Sequence, residues 1–560
     1  MQAVSPAPKS EANILTFPRL GMLSSERALI GAHILVALLA ISIGLLLGPA
    51  QAYRRAPALQ WEIPVFSYYY QALTLHGVLN ALVFTTFFIV GFSYFVVQRS
   101  LQRALASVTV GWIAWVLMFI GVVLAGFAML TGQANVLYTF YAPMLAHWTF
   151  YLGLALVIVG SWVAGGNIFV TYMMWRRANP GKAVPLAVFA TVANFIMWIS
   201  ASLGVAIEVL TMLLPLSLGI VQTTDPQVSR ILFWFFGHPL VYFWLLPAYT
   251  SWYTMMPIQF KVPVFSDTLA RVAFIMIMII SIPIGVHHLF VDPGVSEVAK
   301  VMHSLLTFVV SVPSFLTAFN IAATLERAGR ARGGTGLLGW MLKLEWGNPV
   351  MVSQVLGMMM FIIGGVTGLM NASFTLNIAL HNTTWVPGHF HTTLAGGVFM
   401  TYMGILYWML PIMRGRKLFS RPLATAQAYT WFIGMLLFGI SMGRAGLEGA
   451  ARRTDVGSAQ VISEYWAPWL NVTAIAGTIL LISVVLLFIV VIGTWFFSKG
   501  DPEDPAPITT VAPSGAPLWT ERWSLWIALI VISNVVMWGP VLLEGLNFVN
   551  GFWSVGYPMN

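Results

Sequence analysis

The sequence predicts an all-α protein, a polytopic bundle of about 13 transmembrane helices. Of its 560 residues, 59% are hydrophobic and only 8% are charged, whereas a soluble chain carries about 25% charged residues. The apolar residues form runs long enough to cross a bilayer core of about 30 Å at 1.5 Å per residue. These runs lack the alternation of barrel strands, which cross a membrane in about ten residues.

Thirteen apolar segments follow one another along the chain. They cover residues 26–49, 66–97, 106–130, 144–173, 184–216, 228–257, 268–293, 299–326, 350–372, 384–412, 425–446, 468–497 and 521–545. We expect residues 26–545 to form one transmembrane domain, with a cytoplasmic segment at 1–25 and an outer-face tail at 546–560. The stretch from Lys499 to Pro517 is rich in Pro and Asp, which is typical of a surface loop.

Composition excludes several classes of function. Cysteine is absent, which excludes disulfides, thiolate metal sites and iron–sulfur clusters within this chain. The first 22 residues are polar and contain proline, so we expect no cleavable signal peptide. The formal net charge of +9 is compatible with nucleic-acid binding, but its placement indicates membrane topology instead.

The basic residues are distributed unequally between the two faces of the predicted bundle. With the N-terminus in the cytoplasm, 20 of the 27 basic residues fall on the cytoplasmic side. The outer face keeps Arg54, Arg55, Arg230, Lys300, Arg444, Arg452 and Arg453. Because cytoplasmic loops carry the excess of Lys and Arg, we expect an N-in, C-out orientation, and nucleic acid is excluded as a partner.

A stretch at the start of the tenth segment, Trp385 to Gly397, carries two histidines. Polar side chains at membrane depth need partners or a task. His389 and His391 are two residues apart and so point about 200° apart on a helix. They cannot serve one metal together, but they can hold two planar cofactors, one on each face, with Phe390 between them. The alternative is that neighbouring carbonyls satisfy both rings.

Six histidines are predicted at similar depth in the outer half of the membrane, on four helices. They are His76, His238, His287, His288, His389 and His391. Imidazole suits Cu, Fe and Zn. His287 and His288 differ by about 100° on a helix, so they can converge on one ion where the outer end of the seventh helix loosens. His238 would complete a three-histidine site with positions open for a small ligand. Taken alone, the adjacent pair is equally well explained by packing.

The sixth segment contains Gly237-His238-Pro239-Leu240-Val241-Tyr242. His238 and Tyr242 are four residues apart, so their side chains share one face of a helix. A phenol beside a metal ligand can supply an electron and a proton to a bound oxidant. Most tyrosines merely pack, and the neighbouring ligand is what favours the catalytic interpretation of Tyr242, with His238 as its partner.

These residues resemble the catalytic subunit, subunit I, of heme–copper oxygen reductases, the terminal oxidases of respiratory chains. The resemblance covers about residues 26–545. It implies that His76 and His391 bracket a low-spin heme and that His389 binds the iron of a high-spin heme. It implies that the copper ion called CuB is bound by His238, His287 and His288.

The resemblance extends to residues around the metals. It implies that Tyr242 is joined covalently to one copper ligand. An Arg-Arg pair near the heme propionates matches Arg452-Arg453, where two guanidiniums would neutralise carboxylates by charge-assisted bonds. The alternative for this pair is a solvated loop.

The details resemble the B family of these enzymes, which carries a b-type low-spin heme and an a-type high-spin heme. The A family has a Glu after the Pro of the sixth helix, where this chain has Leu240. Glu208 is the one clear acid inside a segment, and we expect it to be structural. The resemblance implies instead a hydroxyl-lined proton path that ends at Tyr242 and contains Tyr249, Tyr253, Ser266, Ser314 and Thr317. Hydroxyls relay protons because each donates and accepts.

Asn377 stands where the family is expected to have an Asp near a propionate, so a proton-storing role there would pass to His381 or to the propionates. His33, His147 and His303 are expected only to pack.

The predicted function is reduction of oxygen to water, with electrons passing from the low-spin heme to the high-spin heme–CuB centre and protons taken up to generate a proton-motive force. A chain without Cys needs a separate subunit II with a copper entry site for electrons from cytochrome c, or else direct donation by quinol. We also expect a small helical subunit as a partner, and we expect the protein to lie in the cytoplasmic membrane of a prokaryote. The alternatives are a nitric oxide reductase of the same superfamily, which Tyr242 disfavours, and a non-redox transporter, which needs no paired histidines.

Overall fold

The structure, a computed structural model, describes residues 24–61, 68–459, 462–502 and 516–554, with side chains to residue 546. The predicted absence of a signal peptide and almost all of the cytoplasmic segment 1–25 lie outside the described residues. The same holds for the central part of the loop between Lys499 and Pro517. The last helix continues to Ser554, so part of the predicted tail 546–560 is helical.

Within those ranges, twelve helices are long and apolar enough to span a membrane. Numbered with α7, which is described below, they are α1 Ser24–Arg54, α2 Tyr69–Leu101, α3 Val108–Leu130, α4 Trp148–Ala178, α5 Leu186–Ser217, α6 Pro226–Phe260, α8 Glu297–Ala331, α9 Pro349–Ala372, α10 Trp385–Arg414, α11 Arg421–Leu447, α12 Ala467–Phe497 and α13 Trp523–Ser554. The predicted all-α transmembrane fold is confirmed.

The seventh apolar segment loosens towards its C-terminal end, as predicted for the position of His287 and His288. Its helix α7, Asp267–Ile280, has 14 residues, and a 3₁₀ turn follows at Gly285–Leu289. Pro283 lies between the two. Proline lacks the backbone N–H and clashes with the preceding turn, which ends a regular helix. The break gives the next residues, His287 and His288, a backbone path that a straight helix would not provide.

Three histidine-bearing helices form the centre of the bundle. In their most apolar stretches, α2 is 100% buried and α6 and α10 are 89% buried, whereas α13 is 17% buried. The chain also winds into π-helix shortly after His76, at Leu79–Phe84, and from His391 to Phe399. Single π turns inside α-helices occur often at functional sites. Packing therefore places these histidines inside protein rather than against lipid.

A buried ionic cluster fixes the start of α13 to the rest of the bundle. Glu521, just before α13, accepts hydrogen bonds from the Tyr172 hydroxyl at 2.9 Å and from the Val184 backbone at 2.8 Å. Arg271 of α7 lies 3.7 Å from the same carboxylate, and its Nε is 2.6 Å from Asp267. The Arg271 and Glu521 side chains are 0% and 1% exposed. Buried charges require such pairing.

Candidate heme and metal site

All six predicted histidines line one cavity of about 420 Å³ at the centre of the bundle. Tyr242, Arg452 and Arg453 line it too. The structure therefore brings together residues that are more than 370 positions apart in the chain, counting from His76 to Arg453.

His76 and His391 face each other across one end of this cavity. Their ring planes differ by 11° and their centroids are 6.1 Å apart. His76 Nδ1 lies 2.8 Å from the carbonyl of Gly44 on α1, and His391 Nδ1 lies 2.7 Å from the carbonyl of Pro387. With Nδ1 occupied in each ring, Nε2 is left as the free nitrogen. An ion bound by two imidazoles at about 2.0–2.1 Å per bond leaves ring centroids about 6 Å apart, so the pair fits axial ligation of one ion.

His389 lies on the other face of α10, as the spacing predicts. Its Nδ1 is 2.9 Å from the Gly364 carbonyl and 3.0 Å from the Thr367 hydroxyl, both on α9. A Cβ at Gly368 would lie 2.8 Å from the His389 Cε1, so only glycine leaves room for the ring at this position. The two histidines of α10 thus contact different neighbours and can serve two different cofactors.

His238, His287 and His288 form a cluster whose candidate ligand atoms all lie within 4.8 Å of one another. His238 Nδ1 is 3.3 Å from His288 Nε2, and His287 Nδ1 is 3.1 Å from the Thr307 hydroxyl on α8. His288 stacks on Trp234 at 3.8 Å between ring centroids. Three neutral imidazoles with no acid in the cluster suit copper better than Mg²⁺ or Ca²⁺.

Tyr242 lies one helical turn after His238 on α6. The two ring centroids are 5.0 Å apart, with 58° between the ring planes. His238 Nε2 is buried and has no hydrogen-bond partner among the described residues. The phenol therefore lies beside the three-histidine cluster, on the face of α6 that borders the cavity.

Arg452 and Arg453 lie on the loop between α11 and α12. Arg452 donates through Nε and Nη2 to the Asn382 side-chain oxygen, at 3.1 and 2.8 Å. Arg453 has a φ of 61°, and its guanidinium lies 5.9 Å from the centroid of the Tyr138 ring. The Arg453 Nη2 is buried without a partner among the described residues. An unpartnered buried donor beside the histidines fits a carboxylate-bearing cofactor.

Asn377 and His381 also border the cavity. The Asn377 amide donates to the Asn371 carbonyl at 2.7 Å, and its own oxygen is buried without a partner in the described part of the chain. Burial and the positive charges of Arg452, Arg230 and Arg453 lower the pKa of His381 to about 4. Its ring is therefore neutral at pH 7 unless an added negative charge comes close.

Four of the five predicted proton-path residues lie on α6 and α8. Tyr242, Tyr249 and Tyr253 share one face of α6, because seven and eleven residues are close to whole numbers of turns. Tyr249 lies beside Ser314 and Tyr253 beside Thr317. The hydroxyls of Tyr249 and Thr317 are buried and have no direct partner among the described residues. The fifth predicted residue caps a helix: the Ser266 hydroxyl accepts from Leu269 N at 3.1 Å.

Several residues at the site were missed from the sequence. Asn320 donates to the Ser266 carbonyl at 2.7 Å and to the Tyr253 hydroxyl at 3.5 Å, so it links two predicted path residues. Its position could have been noticed in the sequence, because Asn320 follows Thr317 by three residues and continues the polar face that Ser314 and Thr317 form on α8. Thr307 and Thr367, which contact histidine rings, are small polar residues on apolar helices and carry no comparable signal.

The remaining candidates have structural partners. Glu208 is 0% exposed and accepts from the Ser229 hydroxyl at 2.6 Å. His33 contacts the Leu29 carbonyl at 2.9 Å, His147 the Thr149 hydroxyl at 3.0 Å and His303 the Met537 carbonyl at 3.1 Å. These contacts agree with the packing roles expected for the three histidines.

Known proteins are similar to this chain in fold and in sequence. The family model described as "Cytochrome C and Quinol oxidase polypeptide I" matches residues 28–480. Cytochrome c oxidase subunit 1 of Thermus thermophilus is 40% identical over 534 residues, which cover 92% of this chain and 94% of the relative. Ubiquinol oxidase subunit 1 of Acetobacter aceti is 26% identical over 341 residues, 58% of this chain and 47% of the relative. A cryo-EM structure of a heme–copper terminal oxidase dimer matches with a TM-score of 0.88 and 37% identity, over 94% of this chain and 93% of that chain.

Fold and site together define a multi-pass membrane oxidoreductase of the heme–copper type. The chain belongs to the cytochrome c and quinol oxidase polypeptide I family. It is the catalytic subunit of a terminal oxygen reductase, and hemes and copper are the cofactors of this class. The predicted heme–copper oxygen reductase family and the predicted function are confirmed, whereas the B-family assignment and the individual residue roles are proposals.

Proposed function

We propose that this chain is a B-family oxygen reductase whose six histidines hold a low-spin heme, a high-spin heme and CuB. One observation carries the proposal: six imidazoles and a tyrosine from three helices and one 3₁₀ turn line a single cavity. When bound, the hemes and copper supply electron transfer and the site of oxygen reduction, while the protein supplies position and protons.

Low-spin ligation is assigned to His76 and His391. Each Nδ1 is tied to a backbone carbonyl, which fixes the tautomer and aims Nε2 at the iron, as outer-shell partners do for metal-bound histidines. His389, held by Gly364 and Thr367, is assigned as the ligand of the high-spin heme. We assign the b type to the low-spin heme and the a type to the high-spin heme, following the B-family resemblance.

CuB is assigned to His238, His287 and His288, with Tyr242 as the residue that delivers a proton and an electron. The unpartnered Nε2 of His238 and the 5.0 Å between the His238 and Tyr242 ring centroids support a covalent bond between this nitrogen and a carbon of the Tyr242 ring. That bond would replace one N–H and one C–H bond, with the two protons and two electrons passing to oxygen, the proposed substrate. Such a link would hold the phenol at a fixed distance from the bound oxidant. Arg452 and Arg453 are assigned to the heme propionates as charge-assisted donors.

Proton delivery is assigned to the hydroxyl path of Ser266, Tyr253, Thr317, Ser314 and Tyr249, ending at Tyr242. Unpartnered buried hydroxyls at Tyr249 and Thr317 support it, because waters can bridge hydroxyls that do not contact each other. Asn320 would hold the path open at Tyr253. Leu240, which is buried, leaves no carboxylate after the proline of α6.

Electron entry and orientation complete the proposal. The chain works with a subunit II, which carries the copper site where electrons enter, and with a small helical subunit. Cytochrome c donates the electrons, and quinol is the alternative electron donor. The N-terminus lies in the cytoplasm of a prokaryote and the C-terminus outside, since most of the basic residues then lie inside. Protons taken up from the inside during oxygen reduction would build a proton-motive force.

A spectrum combined with metal analysis tests the assignment. The purified complex should show one low-spin and one high-spin heme, bind copper in this chain and consume oxygen with reduced cytochrome c. Two hemes of one type would overturn the B-family heme assignment. Oxygen consumption with quinol but not with cytochrome c would overturn the donor.

A further inference from the structure

Arg55, at the outer end of α1, is a buried cation with no assigned role. Only 7% of it is exposed, and it lines the same cavity as His76 and His391. Its Nη2 donates to the Ala451 carbonyl at 2.7 Å, on the residue just before the Arg452-Arg453 pair. Its Nε is buried and has no hydrogen-bond partner among the described residues.

The charge on Arg55 is not balanced by a carboxylate of the described chain. Asp455 is 2.9 Å from Arg54, the residue before Arg55. Asp292 is 2.8 Å from Arg230. A buried charge left without a counter-charge is unfavourable, so a guanidinium in this position is suited to bind an anion that the described residues do not supply.

The helix α1 places this charge beside the His76–His391 pair rather than beside the copper cluster. A Cβ at Gly48, two turns before Arg55, would lie 3.0 Å from the His76 Cε1. Gln51, between them, donates to the Ala72 carbonyl at 3.1 Å, four residues before His76. Arg55 therefore continues the face of α1 that packs on the low-spin side of the cavity.

We propose that Arg55 is a third guanidinium for the heme carboxylates, specific to the low-spin heme, and that its charge raises the reduction potential of that heme. The proposal rests on the proposed low-spin ligation by His76 and His391. Adding an electron lowers the charge of the heme iron, so a nearby fixed cation stabilises the reduced state. This would favour transfer of electrons from the donor into the chain.

The test is spectroelectrochemical titration of both hemes in the intact purified complex, comparing Arg55→Gln with the parent. We expect the ratio of ferrous to ferric low-spin heme at a fixed potential to fall by about tenfold, as for one charge at roughly 10 Å and an effective dielectric constant of about 20. Arg444→Gln is the matched control, since it removes an outer-face charge whose side chain is 47% exposed and paired with Glu448. We expect no shift for this control.

A second variant covers the case in which Arg55→Gln does not assemble. In Arg55→His, the low-spin potential should fall as pH rises through the titration of the new imidazole, because the charge is lost. An unchanged low-spin potential in Arg55→Gln, or a pH profile of Arg55→His equal to that of the parent, would overturn the proposal. A shift confined to the high-spin heme would do the same. Failure of the underlying ligation would appear differently, as a low-spin signal that survives replacement of His391.

Discussion

The imidazoles of His76 and His391 lie nearly parallel across the cavity, with 6.1 Å between their centroids and 11° between their planes. They come from α2 and α10, and each ring is anchored by a carbonyl, from Gly44 and Pro387 respectively. Because the anchors belong to backbone, the position of each ring depends on helix packing and not on the partner ring. Removing one ring should therefore leave the other in place.

The first prediction follows from that independence. His391→Ala should abolish the low-spin heme signal while the chain still inserts and folds. His389→Ala should instead remove the high-spin heme and binding of oxygen or carbon monoxide, because that ring contacts α9 and not His76. Optical spectra of the two purified variants check both outcomes. A normal low-spin spectrum in folded His391→Ala protein would contradict the assignment.

The second prediction concerns copper. Replacing His287 or His288 by Ala should reduce the copper content of this chain to near zero with both hemes retained, since an open three-ligand site loses affinity steeply without one ligand. Elemental analysis of copper and iron on the same samples gives the ratio. His303→Gln, which changes a buried histidine held by the Met537 carbonyl, is the control and should retain copper. Full copper occupancy in both single variants would show that the metal lies elsewhere.

How much the sequence predicted depends on the kind of interaction. The apolar lengths predicted the crossings, and the common depth of six histidines predicted that they meet. The sequence also predicts that the outer end of the seventh crossing loosens, but hydropathy does not locate the backbone break at Pro283. That break decides the approach of His287 and His288, which the adjacent spacing alone left open.

The supporting residues of the site were harder to predict. The carbonyls of Gly44, Gly364 and Pro387 hold three of the histidine rings, but backbone partners depend on helix packing and leave no pattern in sequence. Arg55 looks like an ordinary cation at the end of a crossing, and only its burial distinguishes it. Asn320 could have been found from its place on the polar face of α8.

The third prediction concerns stability. Glu521→Gln removes the carboxylate that Tyr172, Val184 and Arg271 share, and it leaves the buried Arg271 with less compensation. We expect destabilisation by about 3–5 kcal/mol, as for breaking a buried pair, with α13 detaching first. Thermal inactivation and protease sensitivity of the α13 region report it. Glu448→Gln, at an exposed pair, should change stability by less than about 1 kcal/mol.

The last prediction concerns proton delivery. Thr317→Val nearly conserves volume but removes a buried hydroxyl beside Tyr253. We expect turnover to fall by about 100-fold, the lower end of the range for losing a proton-transfer group. Glu208→Gln should keep turnover within about twofold of the parent, because Gln can still accept from the Ser229 hydroxyl. A loss of that size is under about 0.5 kcal/mol of activation free energy. Steady-state oxygen consumption of both purified variants is the measurement, with spectra showing intact hemes.

The two variants discriminate between a hydroxyl route and a carboxylate route. Slow Thr317→Val enzyme with nearly normal Glu208→Gln enzyme supports proton entry along α6 and α8, ending at Tyr242. The reverse result, an inactive Glu208→Gln enzyme beside a normal Thr317→Val enzyme, would mean that protons enter by a carboxylate. Asn320→Leu refines the first outcome: it removes the amide that bridges Ser266 and Tyr253, and it should slow turnover without changing either heme spectrum. Because Asn320 contributes contacts and no titratable proton, a loss of activity there shows that the alignment of the path limits the rate.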